Sequence, residues 1–117
     1  MRPYGSELIL DLHGCDLSVF TETHLQAYID SACEMAKVHR HDKSLVWIDN
    51  SGNPILSGVS VFQFISTSNI TIHACDLLQA VYINFFACSD FNADEIAEFS
   101  KQHFRAKEMT KTLVTRG

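Results

Sequence analysis

The stretch GVSVFQFISTSNITIHACD, residues 58–76, holds two apolar-rich runs separated by hydroxyl side chains. In the first run Val59, Val61, Gln63 and Ile65 alternate with Ser60, Phe62 and Phe64, the period of a strand with one buried face. A second strand is expected over NITIHA, residues 69–74. Between them Ser66, Thr67 and Ser68 stand where the chain must reverse, so a group of hydroxyls is expected at a constrained turn between two strands.

Working outward, SLVWID (44–49) reads as a strand that enters the turn signals of NSGNP and forms a hairpin with the 58–66 run. AVYINFFAC (80–88) follows the 69–74 strand across CDLLQ. Nearer the N-terminus, ELILDLHGCD places Leu8, Leu10 and Leu12 on one strand face and stops at Gly14. From Thr21 to Val38 the residues Leu25, Tyr28, Ile29, Ala32, Cys33, Met35 and Ala36 recur at helical spacing, with Thr21 as the cap. NADEIAEFSKQHF (92–104) carries Asn92 as a cap, Glu95 at the capping-box position, and Ile96, Phe99 and Phe104 for a core. EMTKTLVTR closes the chain as a last strand.

These elements predict an α+β two-layer sandwich: a mainly antiparallel sheet with two helices on one face. The other face then needs polar side chains or a partner. Phe62, Phe64, Tyr82, Phe85 and Phe86 include candidates for it, which makes a homodimer packed sheet on sheet the expected assembly.

The 117 residues fit one domain, 1–117, and 46% hydrophobic with 20% charged residues is ordinary soluble composition. A net charge of −5 argues against nucleic acid as a partner, because that affinity rests on clustered Lys and Arg. No apolar run approaches a membrane span, and MRPYGSELIL lacks the pattern of a secretory signal, so a cytoplasmic protein is expected. Cys15, Cys33, Cys75 and Cys88 form no Cys-x-x-Cys pair and are expected to be reduced thiols. HRH at 39–41 has no accompanying Cys or carboxylate pattern, and no metal is assigned.

A serine on a strained turn can attack the preceding peptide carbonyl, here that of Thr67, giving an ester. If a base then removes the Ser68 α-proton, elimination cuts the chain and leaves Ser68 as an N-terminal pyruvoyl group. Such a ketone can form a Schiff base with a substrate amine and serve as an electron sink, with no added cofactor.

GVSVFQFISTSNITIHA, YINFFACSD and LILDLHGCD resemble the bacterial S-adenosylmethionine decarboxylases, pyruvoyl-dependent α+β enzymes of polyamine biosynthesis, with ungapped spacing from Gly58 to Cys88. The resemblance implies cleavage between Thr67 and Ser68 into a β chain of 1–67 and an α chain of 68–117. It implies Ser68 as the pyruvoyl precursor, Ser60 as an aid to processing, His73 as the base for the α-proton and Cys88 as the proton donor to the substrate carbon. It also implies a dimer with active sites near the protomer interface.

Two departures stand out. Thr67 replaces the family's usual glutamate, and Ala74, Cys75, Asp76 and Leu77 replace Thr-Trp-Pro-Glu, whose aromatic and acid belong to nucleoside recognition. Three readings therefore stand: an S-adenosylmethionine decarboxylase with an altered pocket, a pyruvoyl decarboxylase of ornithine or arginine, and an unprocessed binding or regulatory homologue. In the second, Asp76 or Asp11 is the candidate partner for the substrate's distal cation.

Overall fold

A computed structural model describes residues 3–117; Met1 and Arg2, on which part of the N-terminal reading rests, lie outside the described residues. The strands are β1 (Gly5–His13), β2 (Leu45–Asp49), β3 (Gly58–Ile65), β4 (Ser68–Cys75), β5 (Ala80–Ala87) and β6 (Glu108–Arg116), with helices α1 (Glu22–Ala36) and α2 (Ala93–His103). All pair antiparallel in one six-stranded sheet of order β2-β3-β4-β5-β1-β6. The strand that comes first in sequence is thus held between β5 and β6.

Both helices begin at the anticipated caps. Thr21 Oγ1 accepts from His24 N–H and Asn92 Oδ1 from Glu95 N–H, each satisfying a donor that the first helical turn leaves free. Lys37, in the left-handed region at φ 57°, ends α1 two residues earlier than the apolar period alone suggested.

The core lies between the helices and one sheet face. Leu8, Leu10 and Leu12, Ile70 and Ile72, and Ile83 and Phe85 come from alternating strand positions, packed against Leu25, Tyr28, Ile29, Ile96 and Phe104. Tyr28 buries its ring completely, and its hydroxyl lies 2.6 Å from Ser100 Oγ, which in turn donates to Ile96 O. Phe85 is therefore not a residue of the uncovered face. It lies an odd number of positions from Tyr82 and faces the helices, whereas Phe62, Phe64, Tyr82 and Phe86 occupy the open side. On that side Leu45, Trp47 and Phe64 are 65%, 70% and 49% exposed, a large apolar surface for a single chain.

Among the described residues no helix is long and apolar enough to cross a membrane. None of their His, Cys, Asp and Glu side chains form a group of three or more able to hold a metal ion. The HRH segment has a different use. His41 N–H donates to Phe64 O, Ser66 N–H to His39 O, and His39 N–H to Ser66 Oγ, so residues 39–41 clamp the β3 end of the hydroxyl-rich turn. Arg40 fixes the clamp. Its guanidinium donates to Asp30, Gln26, Ser44 and the fully buried Gln63, whose amide NH2 donates to the carbonyls of His41, Asp42 and Phe64.

Candidate active site

β3 and β4 are joined by a two-residue turn, Ser66–Thr67, with Ile65 paired opposite Ser68. The Thr67 carbonyl accepts a hydrogen bond from the Cys88 backbone N–H at 3.1 Å, at the point where β5 ends. One residue on, Ser68 Oγ accepts from Asn69 Nδ2 at 3.1 Å. The Thr67–Ser68 peptide therefore has a hydroxyl beside it and a donor already placed on its carbonyl oxygen. Thr67 Oγ1 and Ser89 Oγ, on either side of this junction in sequence, are buried without a hydrogen-bond partner.

Gly5 makes the close approach to Cys88 feasible. A Cβ there would lie 2.7 Å from Cys88 Cα and 2.3 Å from Ala87 O, so only glycine lets β1 run against this end of β5.

The second half of the site stands on the open face. Register sets Trp47, Ser60, His73, Tyr82 and Asp11 in one row across β2, β3, β4, β5 and β1. Ser60 Oγ lies 2.6 Å from His73 Nδ1, and His73 Nε2 lies 3.3 Å from Ile55 O. With Nε2 protonated toward that carbonyl, Nδ1 is left to accept the serine proton, a base held in one orientation. Trp47, Ser60, His73 and Tyr82 of this row line an open groove of about 510 Å³ with Leu45, Phe62 and Asn84.

Gly58 sets β3 against β4 where Ser60 and His73 meet. Its φ is 141° and a Cβ would fall 1.8 Å from Ala74 O. Gly58→Ala is expected to lower stability by about 3 kcal/mol or more, read from chemical denaturation, because the strands must separate to admit the methyl.

The four sequence-predicted residues thus form two pairs rather than one cluster. His73 lies five residues beyond Ser68 on the same strand, about 16 Å along it. The odd interval also puts them on opposite faces: Ser68 shares a row with Ile65 and Ala87, both buried on the helix side, while His73 shares one with exposed Trp47 and half-buried Tyr82. Within one chain the Cys88 N–H reaches the Thr67 carbonyl beside Ser68 at the hairpin tip, Ser60 and His73 meet on the open face, and the two groups stay apart. Asp76 opens the turn past the His73 end of β4, where its Oδ1 accepts from Leu77 N–H at 2.7 Å.

The other cysteines contribute no reactive thiol. Burial pushes Cys15 and Cys33 up to about 11 and also raises Cys75, which is 1% exposed with Sγ 3.6 Å from Ile55 O.

A family model described as S-adenosylmethionine decarboxylase matches residues 6–117. The chain is 25% identical to the S-adenosylmethionine decarboxylase proenzyme of Acetivibrio thermocellus and 29% identical to that of Thermoanaerobacter sp. strain X514. Each match covers 100% of this chain and 91% of the relative. Among solved structures, the crystal structure of the adenosylmethionine decarboxylase from Aquifex aeolicus VF5 shares the fold with a TM-score of 0.83 at 17% identity, covering 100% of this chain and 93% of that one.

Proposed function

The chain belongs to the S-adenosylmethionine decarboxylase family, and we propose that it is a self-processing, pyruvoyl-dependent decarboxylase that makes the aminopropyl donor of polyamine synthesis. The observation that carries this reading is the 3.1 Å hydrogen bond from Cys88 N–H to Thr67 O, beside Ser68. A peptide carbonyl polarised by a fixed donor is prepared for attack, because negative charge develops on that oxygen.

Ser68 Oγ adds to the Thr67 carbonyl carbon, the C–N bond breaks, and the chain continues through an ester with the Ser68 nitrogen as a free amine. Loss of the Ser68 α-proton to a base expels the Thr67 carboxylate from Cβ. Water then replaces the nitrogen, releasing ammonia and leaving the ketone at the new N-terminus. The replacement of glutamate by Thr67 leaves this sequence intact, since the reacting group at that position is the backbone carbonyl.

The residues present fit a pyruvoyl group at position 68. The unpartnered Thr67 and Ser89 hydroxyls offer donors that the chain leaves unused around a new ketone or a substrate carboxylate. The group would supply an electrophilic carbon for the substrate amine and take up the electron pair left by carbon dioxide. Cys88, held beside it by backbone, delivers a proton to the substrate carbon through its thiol. Cys88→Ala should still be cut but turn over about 10²–10⁴-fold more slowly, measured as carbon dioxide release. Full activity would remove Cys88 from the mechanism.

In this reading His73 is the base and Ser60 its partner, and the 16 Å gap supports their serving the site of a second copy. Two sheets packed through their open faces would set the Ser60–His73 pair of one protomer over the β3–β4 tip that carries the Thr67–Ser68 peptide in the other. This would also cover the exposed Leu45 and Phe64.

Intact mass under denaturing conditions tests the reading. Two fragments divided between Thr67 and Ser68 support it, and a chain that stays whole on long incubation favours the unprocessed homologue. A second substrate reading has two observations in its favour: Cys75, at the position of the family's aromatic, is sealed under Ile55 O, and Asp11 stands in the His73 row where a distal cation could pair. Carbon dioxide release from ornithine or arginine, with none from S-adenosylmethionine, would put that reading first.

A further inference from the structure

A two-residue turn between antiparallel strands ordinarily needs a positive φ, because the primed turns are the ones that match the twist of the strands they join. Ser66 and Thr67, which join β3 to β4, both keep negative φ. Left to itself such a turn lets its strands splay, and the Thr67 carbonyl would draw away from the Cys88 N–H. The hold comes from outside the hairpin. Residues 39–41 run antiparallel along the outer edge of β3 through the Arg40↔Ile65 bridge, beyond the stretch that β2 covers. They grip Ser66 twice, with Ser66 N–H donating to His39 O at 2.8 Å and His39 N–H to Ser66 Oγ at 3.2 Å.

We propose that Arg40 is a positioning residue for self-cleavage: through Gln63 its guanidinium holds residues 39–41 against β3, and so fixes the Thr67 carbonyl for attack by Ser68. The inference rests on the self-processing reading of the turn. Arg40 Nε and Nη2 donate to Gln63 Oε1 at 3.0 and 2.8 Å, Nη1 donates to Asp30 Oδ1 on α1 at 2.7 Å, and Nη2 also donates to Gln26 and Ser44. Gln63 is fully buried, and its amide passes the hold on to backbone, donating to Asp42 O at 3.0 Å and Phe64 O at 2.8 Å. One group thereby ties α1, β3 and the clamp together, a task suited to a planar fork of donors and not to a single ammonium. The Thr67 peptide then has a fixed neighbour on each side, Ser66 in the clamp and Ser68 in the ladder. Its carbonyl cannot swing off the Cys88 donor as the Ser68 oxygen approaches.

Cleavage followed by intact mass should be between about ten- and about a hundred-fold slower in Arg40→Met, the cost of a small misplacement of reacting groups. Decarboxylation per pyruvoyl formed should match the parent, because the new ketone belongs to β4, with which the clamp makes none of these bonds. Arg40→Lys keeps a charge for Asp30 but loses the fork, and should also cut slowly. Tyr28→Phe removes a different buried hydrogen bond, that to Ser100, and should cut at the parental rate. Parental cleavage in either Arg40 variant, or equal slowing in Tyr28→Phe, overturns the proposal. Amide hydrogen exchange decides it without any cutting. In a Ser68→Ala background, which stays whole, adding Arg40→Met should speed exchange of the Cys88 amide about ten-fold or more while the amides of the central β1–β5 pair keep their protection. An unchanged Cys88 amide overturns the proposal. A parent that is never cut, with a Cys88 amide that still answers to Arg40, upholds the hold on Thr67 and counts against the self-processing reading alone.

Discussion

Ser68→Ala is expected to purify as one uncut chain with no carbon dioxide release, where the parent is expected to give fragments 1–67 and 68–117. The expectation is all-or-none because the same atom serves every step. Without Oγ no ester forms, without the ester no elimination occurs, and without elimination no ketone exists. The variant should nevertheless be fully folded. Ser68 Oγ has one hydrogen bond, from the adjacent Asn69, so its loss removes about 1 kcal/mol at most from a sheet whose ladder is untouched. Circular dichroism and thermal unfolding close to those of the parent, together with an intact mass, would separate a chemical defect from a folding one. A cut Ser68→Ala protein would refute the site outright.

The same topology explains why cutting need not loosen the domain. Cleavage at the proposed bond would open only the Ser66–Thr67 turn, and would leave β4 paired residue by residue with β3 from Ser68↔Ile65 to Cys75↔Gly58, and with β5 on its other edge. The new N-terminus would thus be held in a central strand of the sheet. The HRH clamp holds Ser66, on the other side of the cut, through backbone bonds that do not involve Ser68.

Much of this arrangement is legible in the residues, because it is written in local periods. Alternation in 58–65 places Gln63 with the core side and Ser60 with the open side, and caps at Thr21 and Asn92 fix where the helices start. The same alternation, carried on, separates Phe85 from its aromatic neighbours and puts Ser68 and His73 on opposite faces. That signal lies in the interval of five between them. Partnerships made across the chain are another matter. Nothing in the HRH run announces that Arg40 will meet Gln63, or that β1 will lie between β5 and β6, since these follow from which surfaces pack rather than from any local pattern. Likewise Trp47 reads as one apolar residue of a short strand. Only its pairing with Ser60 gives it a place beside the imidazole.

Co-expression of Ser68→Ala with His73→Ala should restore what neither has alone. If Ser68 is served by the His73 of a second protomer, each homodimer of a single variant lacks a complete site. A mixed dimer has one site with both residues missing and one with both present. Equal random mixing makes half of the dimers mixed and half of their sites complete, so activity should return to about one quarter of the parent level. The masses sharpen the test. Only the His73→Ala chain carries Ser68, so it alone should be cut, and only when its partner supplies the imidazole. Gln in place of His73 should behave as Ala does, because it can hydrogen-bond to Ser60 but cannot take a proton. Were His73 of the same chain the base, β4 would have to break its pairing over the five residues that separate the two, and the mixture would stay uncut and inactive. The 16 Å along β4 favours the first outcome, since two rigid sheets can meet with far less disruption than a central strand can fold back on itself.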